Sequence, residues 1–236
     1  MVKIGIEIHQ RLEGRKLFCS CGCDISDEEK PQFSFRRRLH PVFSELGEVD
    51  QASQAEFAKG REFEYQAFSS NNCLVETDEE PPSTMNLDAL RTALAVALQL
   101  NAVPVSEVHV MRKMVIDGSN TSGFQRTSII AVNGHMDSSK GSIAIPLIAL
   151  EEESAGILSS ADGKAAYRLD RLGIPLIEIS TAPDIKDGEH LVEVAQKIGM
   201  MLRTGGKVAR GLGTIRQDVN ISTEGGARVE IKGAQD

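Results

Sequence analysis

The side chains best equipped for chemistry in this 236-residue chain are oxygen donors. Glu7 and His9 stand two positions apart, and Glu151, Glu152 and Glu153 follow directly on the apolar run from Ile143 to Leu150. Asp218 and Glu230 sit in two short alternating segments further on. Carboxylates suit hard divalent cations such as magnesium. Two such ions can clamp the oxygens of a phosphoryl group in transfer. Between Arg112-Lys113 and Gln125-Arg126 runs Asp117-Gly118-Ser119-Asn120-Thr121-Ser122-Gly123, a stretch of turn formers whose backbone N–H groups could cradle an anion. Each cluster also has an ordinary reading: a solvated strand end, a satisfied polar pair, an exposed turn.

Other chemistries are poorly represented. The chain has no Gly-x-x-x-x-Gly-Lys-Ser/Thr phosphate loop, no serine nucleophile elbow and no two-histidine zinc-protease signature. Cys19, Cys21 and Cys23 crowd into Cys-Ser-Cys-Gly-Cys, with Cys73 far behind. That alternate spacing suits neither disulfides nor the usual zinc pairs, so reduced, unligated thiols are expected, with a thiolate metal site including Cys73 as the alternative. Arg36-Arg37-Arg38 beside Phe33 and Phe35 could pair phosphates and stack a base, or could be a solvated basic stretch.

These residues need elements to position them. Ile4, Ile6 and Ile8 alternate with Gly5, Glu7 and His9, which predicts a strand that projects Glu7 and His9 from one face. Ile215, Gln217, Val219 and Ile221 alternate with Arg216, Asp218 and Asn220, and after Glu224-Gly225-Gly226 the pattern resumes at Val229 and Ile231. A hairpin is expected, with Arg216, Asp218, Asn220, Arg228, Glu230 and Lys232 on its polar face. One helix is expected from Asn86 to Asn101 with Leu87, Leu90, Leu94 and Leu98 in the core, and another from about Gly188 to Arg203, capped by Asp187 and ended by Gly205-Gly206. Residues 24 to 60 read as loop with short helical pieces, and 105 to 116 as β-rich. The class is α+β.

With 41% hydrophobic residues the chain can bury a core, and no apolar run approaches a membrane span. A net charge of −8 argues against bulk coating of nucleic acid, so any RNA contact must be local. The first residues, Met1-Val2-Lys3-Ile4-Gly5-Ile6-Glu7, lack a signal peptide's pattern, and a cytoplasmic location is expected. The chain stops at Ala234-Gln235-Asp236 without a terminating element, as a fragment would.

Taken in order, the motifs resemble the B and E subunits of the tRNA-dependent amidotransferases. The matching stretches are Ile4 to Gln10, Lys16-Leu17-Phe18-Cys19, Leu150 to Glu153, Leu169 to Ile179, Ile215 to Ser222 and Arg228 to Lys232. Cys73 to Glu76, Asp78 to Pro82, Met111-Arg112-Lys113, Val115 to Thr121 and Gly123 to Thr127 look specifically like the archaeal E-type branch. The resemblance implies an α+β, cradle-shaped catalytic domain built on antiparallel strands with flanking helices over residues 1–236, without the C-terminal helical and tail domains or the synthetase-like insertion of the E branch. It implies ATP- and magnesium-dependent phosphorylation of the glutamyl side chain on glutamyl-tRNA(Gln). Amidation would follow with ammonia from an asparaginase-like partner, in a complex with two copies of each subunit. Carried over by motif, Glu7, His9, Glu152, Asp218 and Glu230 would be catalytic, and these five with Glu151 would bind metal. Lys113, Ser119 and Arg216 would sit near nucleotide phosphates or the glutamyl group. The acidic run reads Glu-Glu-Glu-Ser where Glu-Glu-Asp-Ala is the family's form, which leaves open which glutamate faces the metal. The crowded cysteines do not reproduce the spaced pairs of zinc-containing bacterial relatives, so no zinc is carried over. The rival readings are another magnesium-dependent phosphotransferase acting on a different carboxylate, and a non-catalytic docking module for the ammonia-producing subunit.

Overall fold

The computed structural model describes residues 2–25, 30–161 and 164–234; part of the charged segment from Asp24 to Lys30 and the final Gln235-Asp236 lie outside the described residues. In chain order the elements are β1 (Val2–Arg11), β2 (Phe33–Arg37), α1 (Gln51–Ala58), β3 (Glu62–Ala67), α2 (Leu87–Gln99), β4 (Val103–Pro104), β5 (Val110–Met114) and β6 (Phe124–Ser138). There follow β7 (Gly141–Glu152), β8 (Gly156–Ala161), β9 (Lys164–Arg168), β10 (Pro175–Ser180), α3 (Gly188–Gly205), β11 (Ile215–Thr223) and β12 (Val229–Ile231). No described helix is long and apolar enough to cross a membrane.

Strands β12-β11-β1-β10-β7-β6-β4 form an eight-stranded sheet together with β5, which also pairs with β6. All its pairs are antiparallel. The second sheet runs β2-β3-β9-β8, and its central pair, β3 with β9, is parallel. The α+β class is therefore seen, with this one departure from antiparallel pairing.

The alternation in β1 works as a sorting device. Ile4, Ile6 and Ile8 are buried against a core shared with α2, α3, β6 and β7, while Glu7 and His9 face the other way. Each large aliphatic side chain buried there contributes about 1.5–3 kcal/mol. A second, smaller core of Phe63, Tyr65, Ala165, Tyr167 and Leu169 holds the four-stranded sheet. Its tyrosines reach the loop between β5 and β6: the Tyr65 hydroxyl donates to the Gly118 carbonyl and the Tyr167 hydroxyl to the Asp117 carbonyl, both at 2.7 Å.

Helix α2 begins at the Asn86 cap as expected, but only half of its leucine stripe reaches the core: Leu90 and Leu94 pack partly buried against it. Leu87 and Leu98 are 58% and 63% exposed, whereas Ala89, Ala93, Val96 and Ala97 are buried. Small side chains let the helix approach the sheet closely, so alanine wins the interior face. Asn101 adopts the left-handed conformation that suits a helix end, φ 51°. Helix α3 matches its expectation, with Asp187 accepting a hydrogen bond from the His190 N–H and Val194, Ile198 and Leu202 buried. Residues 24 to 60 contain an unexpected strand, β2, as well as the helix α1.

Candidate active site

Antiparallel pairing aligns the polar faces of four neighbouring strands. Glu7 lies opposite Asp218 and His9 opposite Arg216 on β11, while on its other side His9 lies opposite Glu178 on β10. Glu178 in turn pairs with Ala149 on β7, and Glu151, two residues on from Ala149, shares that face. Asn220 pairs with Glu230, which brings the last carboxylate to the same face at the sheet's edge.

The result is a cleft of about 620 Å³ lined by, among others, Glu7, His9, Lys113, Ser119, Glu151, Arg216, Asp218 and Glu230. His9 Nε2 is 3.4 Å from Glu7 Oε1, 3.6 Å from Glu178 Oε2 and 3.7 Å from Glu151 Oε1. Lys113 Nζ approaches Glu151 at 3.6 Å and Glu178 at 4.0 Å. Asp218 accepts the Gly233 N–H at 2.9 Å and lies 3.7 Å from Arg216 Nε, and Lys232 Nζ is 3.2 Å from Glu230. Five carboxylates thus share this face with three cations, Lys113, Arg216 and Lys232.

The electrostatics follow from that imbalance. Burial, then the charge of Glu178, pushes the Glu7 carboxyl above its ordinary range. Burial, again followed by Glu178, does the same to Glu151. Burial would also raise Glu178, but its close contact with the His9 imidazole and the charge of Lys113 hold it low. Concentrated negative charge away from bulk water is costly unless it is protonated or meets a cation. A divalent ion fits here on the chemistry of the donors: one ligand atom each from Glu7, His9 and Glu178 lie within 4.8 Å of one another. Two atoms on this face are also buried and unpaired, His9 Nδ1 and Asn220 Oδ1.

The structure brings together Glu7, His9, Glu151, Asp218, Glu230, Lys113, Ser119 and Arg216, all nominated by sequence, and leaves Glu152 out. Strand alternation turns Glu152 to the opposite face, where Arg126 Nη1 is 3.2 Å from both its oxygens and the Arg126 N–H donates at 3.3 Å. Burial raises its carboxyl against the pull of Arg126. Glu153 borders the cleft but is committed to Arg11 at 2.9 Å and Arg171 at 3.1 Å. Of the acidic triplet, Glu151 is the one that faces His9.

The turn expectation is adjusted. The Ser119 N–H donates to Asp117 Oδ1 at 2.9 Å, so that amide is not free to cradle an anion, and Ser119, Asn120 and Thr121 are buried rather than solvated. In the basic stretch, Arg36 stays largely exposed with Glu64 at 3.2 Å, and Arg37 donates to the Thr77 carbonyl at 2.9 Å. Sequence reasoning did not nominate Glu178. Its signal was present: it is the single charged residue in the strand Pro175–Ser180, where an otherwise apolar run tolerates a carboxylate only beside a partner.

The family profile described as the GatB/GatE catalytic domain matches residues 2–236. The chain is similar to proteins named as the E-type subunit of glutamyl-tRNA(Gln) amidotransferase, among them those of Thermococcus sibiricus (53% identical over 235 residues), Pyrococcus abyssi (54% over 235) and Methanocaldococcus jannaschii (52% over 236). In each case 100% of this chain aligns with 37% of the relative, so it spans little more than a third of their length. Matched end to end by that profile, with the acidic face aligned on β1, β10 and β11, the chain belongs to the GatB/GatE catalytic domain family.

Proposed function

We propose that this chain is the ATP-dependent activating domain of a glutamyl-tRNA(Gln) amidotransferase, working beside an asparaginase-like, ammonia-producing subunit of the D type. The observation that carries the reading is the acidic face around His9, set against Lys113, Arg216 and Lys232 in one open cleft. The relatives' shared name supports the substrate.

A carboxylate resists ammonia because oxide would have to leave. Transfer of the ATP γ-phosphoryl to the glutamyl side chain gives an acyl phosphate and ADP. Ammonia then attacks the carbonyl carbon, phosphate leaves and a proton is lost, yielding the amide. Glu7, His9 and Glu178, with Glu151 and Asp218 beside them, would hold magnesium, which neutralises charge on the transferring phosphoryl group. Lys113 reaches into the same cleft and is held by Glu151 and Glu178, a position from which its ammonium meets a phosphate oxygen. Arg216, half-exposed at the opposite wall, is free to turn from Asp218 towards a second anionic group.

The experiment is a trap. Full-length protein with ATP, magnesium and charged glutamyl-tRNA(Gln) is treated with hydroxylamine, which converts an acyl phosphate into a hydroxamate. Hydroxamate on the tRNA-bound glutamyl group, dependent on ATP, is expected. Hydroxamate formed equally well on free glutamate would favour a small-acid phosphotransferase. None under any condition would reduce the domain to a docking module.

A further inference from the structure

One cation of the basic stretch has no work in the fold. Arg38 is exposed and, among the described residues, makes no ion pair or hydrogen bond, unlike Arg36 and Arg37 beside it. It lines a pocket of about 190 Å³ between the 38–41 segment, α1, the start of β3 and residues 114–116. Phe57, 44% exposed, meets the His40 ring there with 4.9 Å between centroids, and the Arg61 guanidinium lies 5.7 Å over the Phe63 ring. Glu56, the one carboxylate among the lining residues, is already held by Arg61 at 2.6 Å and Lys59 at 2.7 Å. Ser53 also lines the pocket, and its hydroxyl has no hydrogen-bond partner among the described residues.

Aromatic rings, an uncommitted guanidinium and an unpaired hydroxyl are the means by which proteins hold an unstacked base of a single strand: a face to stack on, a charge for the adjoining phosphate and a polar group for the base edge. The volume is below the roughly 300–1,000 Å³ of sites for drug-sized ligands, so the pocket admits one ring system rather than a whole nucleoside triphosphate. Its position narrows the choice further, because Val115 borders both this pocket and the acidic cleft. In a glutamyl-tRNA only a ribose and an ester link separate the terminal adenine from the glutamyl group. With that group in the cleft, the base must come to rest directly beside it.

We infer that this pocket seats the terminal adenine of the tRNA's single-stranded 3′ end, with Phe57 and His40 stacking on the base, Arg38 meeting the preceding phosphate and Ser53 bonding the base edge. The base of ATP has apolar residues within the cleft itself, Ala155, Ile157 and Leu176, and does not need this pocket. The pocket's role rests on the tRNA-bound substrate proposed above and adds where the last nucleotide is held.

The test is a cycle of binding measurements on the full-length protein with its partner subunit, using tRNA(Gln) with and without its terminal adenosine against wild type and Phe57→Ala. Removing the adenosine should weaken binding to wild type about tenfold, and Phe57→Ala should weaken binding of the intact tRNA by a similar factor. Removal should then change binding to Phe57→Ala by less than about twofold, because the two losses are one interaction. Arg38→Ala should raise KM for charged tRNA about tenfold. Because Phe57→Ala could loosen α1, tRNA ending in photoreactive 2-azidoadenosine is also irradiated with wild type, and label is expected within residues 38–63. An equal loss on removing the adenosine in both proteins would overturn the inference, as would label confined to other parts of the chain. A rise in KM for ATP in place of that for tRNA in Arg38→Ala would also overturn it, by giving the pocket to the nucleotide. Binding and labelling need no ATP turnover. Their failure with hydroxamate still formed on the tRNA removes the pocket and leaves the reaction, whereas loss of hydroxamate with labelling intact removes the reaction alone.

Discussion

The cleft and the shoulder beside it treat the same residue type in opposite ways. On the shoulder each carboxylate has its own counter-ion: Glu152 has Arg126, Glu153 has Arg11 and Arg171, and Asp170 has Arg168 at 2.8 Å. In the cleft Glu7, Glu151 and Glu178 crowd one imidazole and share one lysine. Acids that hold the fold together bring their cation within the chain. Acids left in excess, on a face that opens into a cleft, are what the proposed magnesium site draws on.

Substitutions should separate the two regions, the largest effect coming from the cleft. Glu178→Gln removes a carboxylate without changing shape, and ATP turnover by the full-length protein with charged tRNA should fall about 10³-fold, roughly 4 kcal/mol of transition-state stabilisation. A loss under threefold would place Glu178 with the shoulder acids. Arg126→Met leaves the buried Glu152 unpaired and should cost about 3–5 kcal/mol in urea unfolding, while magnesium affinity per folded molecule stays unchanged. If magnesium affinity fell as well, Glu152 would belong to the metal site after all. Gly118→Ala places a Cβ against the Phe63 ring at a positive φ of 90°, and should cost about 1–3 kcal/mol by prising the loop from the small sheet.

The smallest effect is a pH dependence. Glu7 and Glu151 both titrate above their ordinary value of 4.5, so each holds its proton longer in the metal-free fold than in the unfolded chain. Metal-free stability from these groups is therefore present below that value and lost as pH rises through the raised pKa values. Magnesium affinity runs the other way, rising over the same window as the ligands lose protons. Thermal melts with and without magnesium across mildly acid to neutral pH check the sign. A magnesium-induced stabilisation that grows as pH falls would contradict it.

Much of the cleft was legible in sequence because strand periodicity is a local signal. Ile4, Ile6 and Ile8 against Glu7 and His9 announced both faces of β1, and the segments around Asp218 and Glu230 announced the partner hairpin. What failed was non-local. Nothing near Glu151, Glu152 and Glu153 says which one the sheet turns towards His9, because that depends on the register of β7 against β10. Glu178 was hidden within an apolar strand, and its role appears only when that strand is laid beside β1. Of the α2 leucines, Leu90 and Leu94 pack against the core as expected, but Leu87 and Leu98 are exposed, and the close approach of helix to sheet is made by Ala89, Ala93 and Ala97. Strand β2 escaped notice because Pro31, Pro41 and three arginines give its neighbourhood the composition of a loop.

The most direct test of the cleft's role is ATP hydrolysis by the full-length protein with its ammonia-producing partner in magnesium, with and without glutamyl-tRNA(Gln), for wild type and Asp218→Asn. Asp218 lies opposite Glu7 and is 3% exposed, so removing its charge strikes the proposed cation site with little change of shape. Turnover that requires the charged tRNA and collapses in Asp218→Asn is the expected result. Normal turnover in the mutant, or indifference to the tRNA, would contradict the placement of the metal and phosphoryl chemistry on this face.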